Sequence, residues 1–215
     1  MISLVVGYVF GLFQTSYIIG RTHNIDIRKV GSGNAGSTNT LRVLGAKAGF
    51  TSLILDILKC VAAVWAVNFL FRSSGRNILP LLKIYAGAGC VLGHNYPFYL
   101  NFKGGKGIAA SLGLIIALDP KVTLAAAVVF LSLFFTTHYV SLSSLCAYLA
   151  AWLSIIVFGA MGLYGMNLHH TVEMDIVFGL LTVLAFFRHR GNIKRLLAGT
   201  ERKTFIGKKK PADRS

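Results

Sequence analysis

48-AGFTSLILDILKCVAAVWAVNFLF-71 decides the architecture. As an α-helix its 24 residues would run about 36 Å, more than the roughly 30 Å hydrocarbon core of a bilayer. Asp56 and Lys59 are its only charges, three apart on one helix face, where they can pair. Ionisable groups within a span are functional candidates by default. The pair is therefore read either as an internal ion pair that fixes helix packing or as part of a site. Outward from this stretch, apolar runs recur at 2–20, 78–98, 107–118, 122–137, 143–165 and 176–187. Composition agrees, with 54% apolar residues, only 13% charged and a mean hydropathy of +0.65. A soluble domain carries about 25% charged residues.

The expected fold is an all-α integral membrane protein of about seven transmembrane helices. Runs 107–118 and 176–187 are short for a crossing. Only Asp119-Pro120-Lys121 divides 107–118 from 122–137, so these are either two tilted helices or a re-entrant pair buried by neighbours. Seven crossings or five result, and both place the termini on opposite sides. Arg21 follows the first run rather than preceding it, so 2–20 reads as a span and not as a signal peptide.

Charge assigns the sides. Loop 21–47 holds five cations, loop 99–106 two and segment 188–215 ten, together 17 of the 22 Lys and Arg. Span parity puts all three on one side, which the positive-inside rule makes cytoplasmic, with the N-terminus outside. Arg72 and Arg76 on the opposite side count against this weakly. A net charge of +15 in a soluble protein would suggest nucleic acid, but no soluble domain is left to bind it; the cations are expected to lie on anionic lipid. Residues 1–207 read as one polytopic domain and 208–215 as a basic, disordered cytoplasmic tail. Cys60, Cys90 and Cys146 fall in apolar segments without metal-ligand spacing, so neither metal nor cofactor is expected.

Three polar, glycine-rich stretches face that common side: 31-GSGNAGSTNT-40, 93-GHNYPFYLNFKGGKG-107 and 189-HRGNIKRLLAGTE-201. In the first, Gly31, Gly33 and Gly36 permit backbone conformations that turn successive N–H groups inward, with Ser32, Asn34, Thr38 and Asn39 adding donors. Arg42 and Lys47 follow and supply full charges; the spacing is not that of a Walker A loop. In the second, Lys103-Gly104-Gly105-Lys106-Gly107 precedes a helix beginning near Ile108, whose free N–H groups favour an anion. His94 and Asn95 offer a proton carrier and an orienting amide. The third brings Arg188, His189, Arg190, Asn192, Lys194 and Arg195, with Glu201 as its one acid holding the arginines. Basic residues after a final span often only meet lipid headgroups, but that leaves His189 and Asn192 unexplained. His170 and Asp175 match an HxxxxD acyltransferase spacing, yet the charge argument puts them on the other side, so the match is read as chance.

A membrane protein with a site for phosphorylated substrates follows. It has no Ser-His-Asp set and no paired carboxylates, which favours a substrate that arrives already activated. The three motifs, in order and spacing over the whole chain, closely resemble those of the bacterial acyl-phosphate:glycerol-3-phosphate acyltransferase family (PlsY). That resemblance implies acyl transfer from acyl phosphate to the sn-1 hydroxyl of glycerol 3-phosphate, giving lysophosphatidic acid and phosphate at the cytoplasmic face of the bacterial inner membrane. It also implies transient contact with the enzyme that makes acyl phosphate. By resemblance Ser32, Arg42, Lys106, His189 and Asn192 are catalytic. Gly31, Gly33, Asn34, Gly36, Thr38, Asn39, His94, Asn95, Lys103, Gly104, Gly105, Gly107 and Arg195 would bind substrate, with Glu201 structural. The proton acceptor is either His189 or the donor's own phosphate. The alternatives are a transporter or binding protein for a phosphorylated metabolite, and an enzyme using another acyl donor.

Overall fold

The computed structural model describes residues 1–75 and 77–205; Arg76 and the expected tail 208–215 lie outside the described residues. Among those described, every regular element is helical. The α-helices are α1 (Ile2–Gly11), α2 (Thr15–Thr22), α3 (Ser37–Leu44), α4 (Ala46–Leu70), α5 (Leu79–Asn95), α6 (Ile108–Leu118), α7 (Pro120–Thr137), α8 (Val140–Ala160), α9 (Leu168–Arg188) and α10 (Arg190–Leu197), with a 3₁₀ turn at Phe98–Leu100. Five segments are long and apolar enough to cross a bilayer: Ile2–Thr22, Ala46–Leu70, Pro120–Thr137, Val140–Ala160 and Leu168–Arg188. α5, with 17 residues, and α6, with 11, are shorter. The protein is a multi-pass membrane protein. Its core joins α4, α5, α6, α8 and α9 through side chains such as Val64, Ile84, Leu114, Ile155 and Phe178. Trp65, Leu124 and Val183 point outward, as lipid-facing positions do.

Three expected spans differ from the structure. The run 2–20 is not one helix but breaks over 12–14. Gln14 Nε2 donates to the carbonyls of Gly11 (3.1 Å), Gly93 (3.2 Å) and His94 (3.1 Å), and Lys59 Nζ donates to that of Phe13 (2.6 Å). These side chains satisfy backbone groups that a continuous helix would have used internally, which makes a break tolerable at membrane depth. The run 176–187 is the end of a longer helix. Asn167 caps α9 by accepting from His170 N (2.8 Å), and Tyr85 donates to Glu173 (2.5 Å), so the polar stretch 168–175 stays helical. The run 143–165 is shifted, α8 covering 140–160.

α6 is short because it starts inside the protein. Gly104 N donates to Asn95 O (3.2 Å) and Gly105 N to His94 O (3.1 Å), folding loop 101–107 back along the end of α5. Gly107 therefore meets Val91, a full turn within α5, before α6 begins. At Asp119 the chain reverses, its carboxylate accepting from Lys121 N (2.7 Å) with Pro120 opening α7. α1 and α5 pack closest of all. A Cβ on Gly7, Gly11, Gly89 or Gly93 would enter the partner helix's backbone, as for Gly89 at 2.8 Å from Tyr8 N. Small residues four apart on both helices permit that approach, the usual solution where apolar surface alone gives no drive to associate.

Candidate active site

The first motif forms a loop entering α3. Gly31 (φ +63°) and Gly33 (φ +71°) adopt left-handed backbone that other residues rarely take. Asn39, in the first turns of α3, braces the loop from within. Its Oδ1 accepts from Ser32 N (2.8 Å), and its Nδ2 donates to Ile27 O and Val30 O (3.0 Å each). That leaves Ser32, Asn34 and Thr38 facing a large cavity. Arg42, one α3 turn beyond, lines the same cavity and donates to Thr204 Oγ1 at 2.9 Å. Burial pulls the Arg42 guanidinium below its usual range, with Arg202 and Arg195 adding to the effect and Glu201 opposing it.

The second motif is held from two sides. α5 fixes Gly104 and Gly105 by their N–H groups, and Arg188 Nη2 donates to their carbonyls, at 3.2 and 2.6 Å. Neither glycine can carry a side chain: a Cβ on Gly105 would meet the His94 ring and approach Ala35 O to 2.9 Å. Gly107 (φ +81°) caps α6. Lys106 projects into the cavity and donates to Asn192 Oδ1. Burial is the main reason its ammonium is pushed down to about 8. The Glu201 charge pulls the other way, and Arg195, Arg188 and Arg42 add to the lowering. Lys103 is exposed and away from the cavity wall, and Asn95 is fully buried beside Gly107.

The third motif links α9 to α10 and folds over the other two. His189 Nδ1 lies 2.8 Å from Ala185 O. A carbonyl only accepts, so Nδ1 carries the proton and Nε2 keeps its lone pair. Burial first, and then the Lys106 charge, hold the His189 imidazolium down to about 4. Glu201 ties the motif together: its carboxylate accepts from Asn192 Nδ2 (2.6 Å), Ser141 Oγ (2.9 Å) and Arg195 Nε (2.7 Å). Burial would raise this carboxyl, but those hydrogen bonds and the Arg195 charge bring it below the usual range. A relay runs from Arg195 through Glu201 and Asn192 to Lys106.

All three motifs line one cavity of ≈ 1020 Å³. One part of its wall is polar and cationic, with Ser32, Asn34, Arg42, Lys106, Arg188 and His189. The rest is apolar, running between α6, α7 and α8 past Leu112, Ile115, Ala127, Phe130, Phe134 and Ala151. Of the residues expected at the site, Gly31, Gly36, Asn39, His94, Gly107, Asn192, Arg195 and Glu201 also line it, whereas Gly33, Asn95, Lys103, Gly104 and Gly105 do not. Ser141 and Thr204, which position Glu201 and Arg42, carry no motif signal; their partners are 60 and 162 residues away in sequence. His170 is remote, its ring near Asn77 O at the start of α5, while His94 stands at that helix's far end. Among the described residues no cluster of His, Cys, Asp and Glu could hold a metal ion. A cationic mouth joined to an apolar limb suits a molecule with an anionic head and a long chain.

Comparison with known proteins agrees with this geometry. The family described as glycerol-3-phosphate acyltransferase matches residues 1–199. The glycerol-3-phosphate acyltransferase of Clostridioides difficile (strain 630) is 43% identical over 212 residues, covering 98% of this chain and 97% of its own. That of Thermoanaerobacter sp. (strain X514) is 40% identical, covering 94% of each. The crystal structure of PlsY (YgiH), an integral membrane glycerol 3-phosphate acyltransferase, in its glycerol 3-phosphate form superposes with a TM-score of 0.82. It is 34% identical, covering 95% of this chain and 94% of that one. Its lysophosphatidic acid form gives 0.79 at 33% identity. A family match over nearly the whole chain, relatives of this identity and a shared integral membrane fold lead to one statement: the chain belongs to the glycerol-3-phosphate acyltransferase family.

Proposed function

We propose that the chain transfers a fatty acyl group from acyl phosphate to the sn-1 hydroxyl of glycerol 3-phosphate, releasing lysophosphatidic acid and inorganic phosphate. The site would face the cytoplasm from the bacterial inner membrane. The observation that carries the reading is the single cavity in which three glycine- and cation-rich motifs adjoin an apolar limb. Both substrates are phosphorylated, and the donor's chain would occupy the limb between α6, α7 and α8.

In this scheme the loop at 103–107 seats glycerol 3-phosphate through Lys106 and Gly107, its residues on the cavity wall, while Ser32, Asn34 and Arg42, with Lys106, hold the acyl phosphate. The hydroxyl oxygen attacks the carbonyl carbon, the bond from that carbon to the phosphate oxygen breaks, and phosphate leaves with the electron pair. Arg42 and Lys106 stabilise the charge growing on the carbonyl oxygen and on the leaving phosphate. The mixed anhydride is reactive enough for direct attack, so no acyl-Ser32 intermediate is required. His189 offers Nε2 as an acceptor that orients the attacking hydroxyl. With its imidazolium held to about 4 it is a poor final proton acceptor near pH 7, and the departing phosphate is the better one. Catalysis is then substrate-assisted, with Asn192, Arg195 and Glu201 keeping Lys106 in place.

The test is an acyl-transfer assay on purified protein in lipid, offering acyl phosphate or acyl-CoA with glycerol 3-phosphate. Lysophosphatidic acid with stoichiometric phosphate release, from acyl phosphate alone, is expected. No product from either donor in folded protein would overturn the assignment, and product from acyl-CoA would overturn the donor.

A further inference from the structure

Beneath the second motif lies a buried cluster that the scheme above does not use. Asp56 (0% exposed) and Lys59 (7%) come from α4, and His94 (3%) from α5. Lys59 Nζ is 2.6 Å from Phe13 O, 2.7 Å from Asp56 Oδ1 and 2.8 Å from His94 Nδ1. Thr15 donates to the same Asp56 oxygen at 3.0 Å. An ammonium has three N–H donors and no lone pair. These three short contacts use all of them, the one to Asp56 being an ion pair at 2.7 Å. Toward His94, therefore, Lys59 can only donate, and Nδ1 must present its lone pair. Asp56 Oδ1 is 3.6 Å from that nitrogen, too far to claim a proton there. The ring proton is on Nε2, which has no hydrogen-bond partner among the described residues and lies against Gly105, with His94 on the cavity wall.

We infer that Asp56 and Lys59 are positioning residues that lock His94 as an Nε2–H donor aimed at the phosphate of glycerol 3-phosphate. This rests on the reading that the loop at 103–107 seats that substrate. His94 is then a fixed hydrogen-bond donor and not a proton carrier. A purely structural role for the pair, pinning the break between α1 and α2, would not call for a cation. Gln14, a neutral donor, reaches the neighbouring carbonyls of Gly93 and His94 without Lys59, which shares only that of Gly11, at 3.5 Å. The contact to His94 Nδ1 is where a group that can donate but never accept makes a difference, because a neutral amide or hydroxyl would tolerate either tautomer.

The tautomer is directly observable by ¹⁵N NMR of histidine-labelled full-length protein in lipid nanodiscs, with the His94 signals identified by their loss in His94→Gln. A bare Nδ1 and a protonated Nε2 are expected, with the Nε2–H signal moving on addition of glycerol 3-phosphate. A protonated Nδ1, or an Nε2–H signal unmoved at saturating glycerol 3-phosphate, overturns the inference. Neither readout depends on turnover, so failure here is separable from failure of the acyl-transfer reading, which product formation decides. Kinetics add a second arm. His94→Gln places an amide nitrogen where Nε2 was and keeps the KM for glycerol 3-phosphate within a few-fold, whereas His94→Asn, reaching only to Nδ1, raises it by about tenfold or more. Equal loss in both overturns the donor assignment. The charge-neutral pair Asp56→Asn with Lys59→Met, in folded protein, is expected to show both His94 tautomers and a raised KM for glycerol 3-phosphate. An unchanged His94 tautomer in that variant overturns the lock.

Discussion

Replacing Glu201 with Gln changes almost no volume and removes one charge, and its effects can be followed atom by atom. The carboxylate accepts from Asn192 and Ser141 on Oε1 and from Arg195 on Oε2. A carboxamide has one oxygen, so its NH₂ must face donors on one edge. Facing Arg195, it breaks that bond outright. Facing Ser141 and Asn192, it lets the hydroxyl turn, but Asn192 must flip, which presents its own NH₂ to Lys106. Either way one charge-assisted hydrogen bond is lost, roughly 1.5–3 kcal/mol, and kcat/KM is expected to fall by about 10- to 150-fold. A second signature separates electrostatics from geometry. Lys106 is held at about 8 by burial, which lowers it, against Glu201, whose negative charge raises it. Protonated Lys106 is the active form, so kcat/KM, which reports the free enzyme, should decline through an alkaline limb near pH 8. Without the Glu201 charge the limb should move to lower pH. The assay is release of phosphate from acyl phosphate across pH 6–10, with folding checked in each variant. An unmoved limb at reduced amplitude would refute the electrostatic half of the reasoning. A change in kcat/KM under threefold would refute the relay.

Three further outcomes are expected. Arg42→Ala should lower kcat/KM by about 100-fold or more, and Thr204→Val, which removes only the acceptor holding that guanidinium, by a few-fold, both read in the same assay. Gly105→Ala pushes a methyl against the His94 ring and Ala35 O and should chiefly raise the KM for glycerol 3-phosphate, whereas a pure kcat loss would contradict the seat assigned to this loop. Gly89→Ala drives a methyl into the backbone of α1 and should cost about 1–3 kcal/mol of stability, seen as a lower melting temperature in detergent with the KM values unaltered.

What was legible in the sequence was what local chemistry enforces. Hydropathy marked the apolar helices because the bilayer penalises any other composition, and the three motifs announced themselves because lipid-facing helices have no use for runs of glycine, amide and cation. Where reading failed, the deciding partner was distant in sequence. The break at 12–14 is invisible in an apolar run, since it depends on Gln14 and Lys59 reaching carbonyls from separate helices. α9 was cut short at 176 because His169, Glu173 and Asp175 lower the hydropathy, although Asn167 caps the helix ahead of them and Tyr85 pairs with Glu173. The glycines at 7, 11, 89 and 93 were present to be seen, but a four-residue spacing has meaning only once the partner helix is known. Asn39, expected among the groups binding substrate, lines the cavity while its amide braces the loop, a contact only the folded loop reveals.

The same distinction explains how the site is built. The groups proposed to meet substrate come from polar motifs at helix ends, where backbone N–H groups and glycines are available. Their supports differ: Thr204 for Arg42 and Ser141 for Glu201 hold positions of no sequence distinction, whereas Lys59, proposed to orient His94, is conspicuous as a charge within a span. A loop so rich in glycine has little stiffness of its own, because each glycine forfeits more conformational freedom on folding than any other residue. Its precision must be imposed from outside. Arg188 shows how, using one guanidinium nitrogen to hold the carbonyls of both Gly104 and Gly105 from the end of α9. The second motif is thus clamped between α5 below and α9 across from it, and the short α6, beginning inside the protein, is the consequence. In the proposed scheme, a loop folded back one helical turn along α5 would bring a water-soluble phosphate to the level where an acyl chain lying among the spans would present its reactive end.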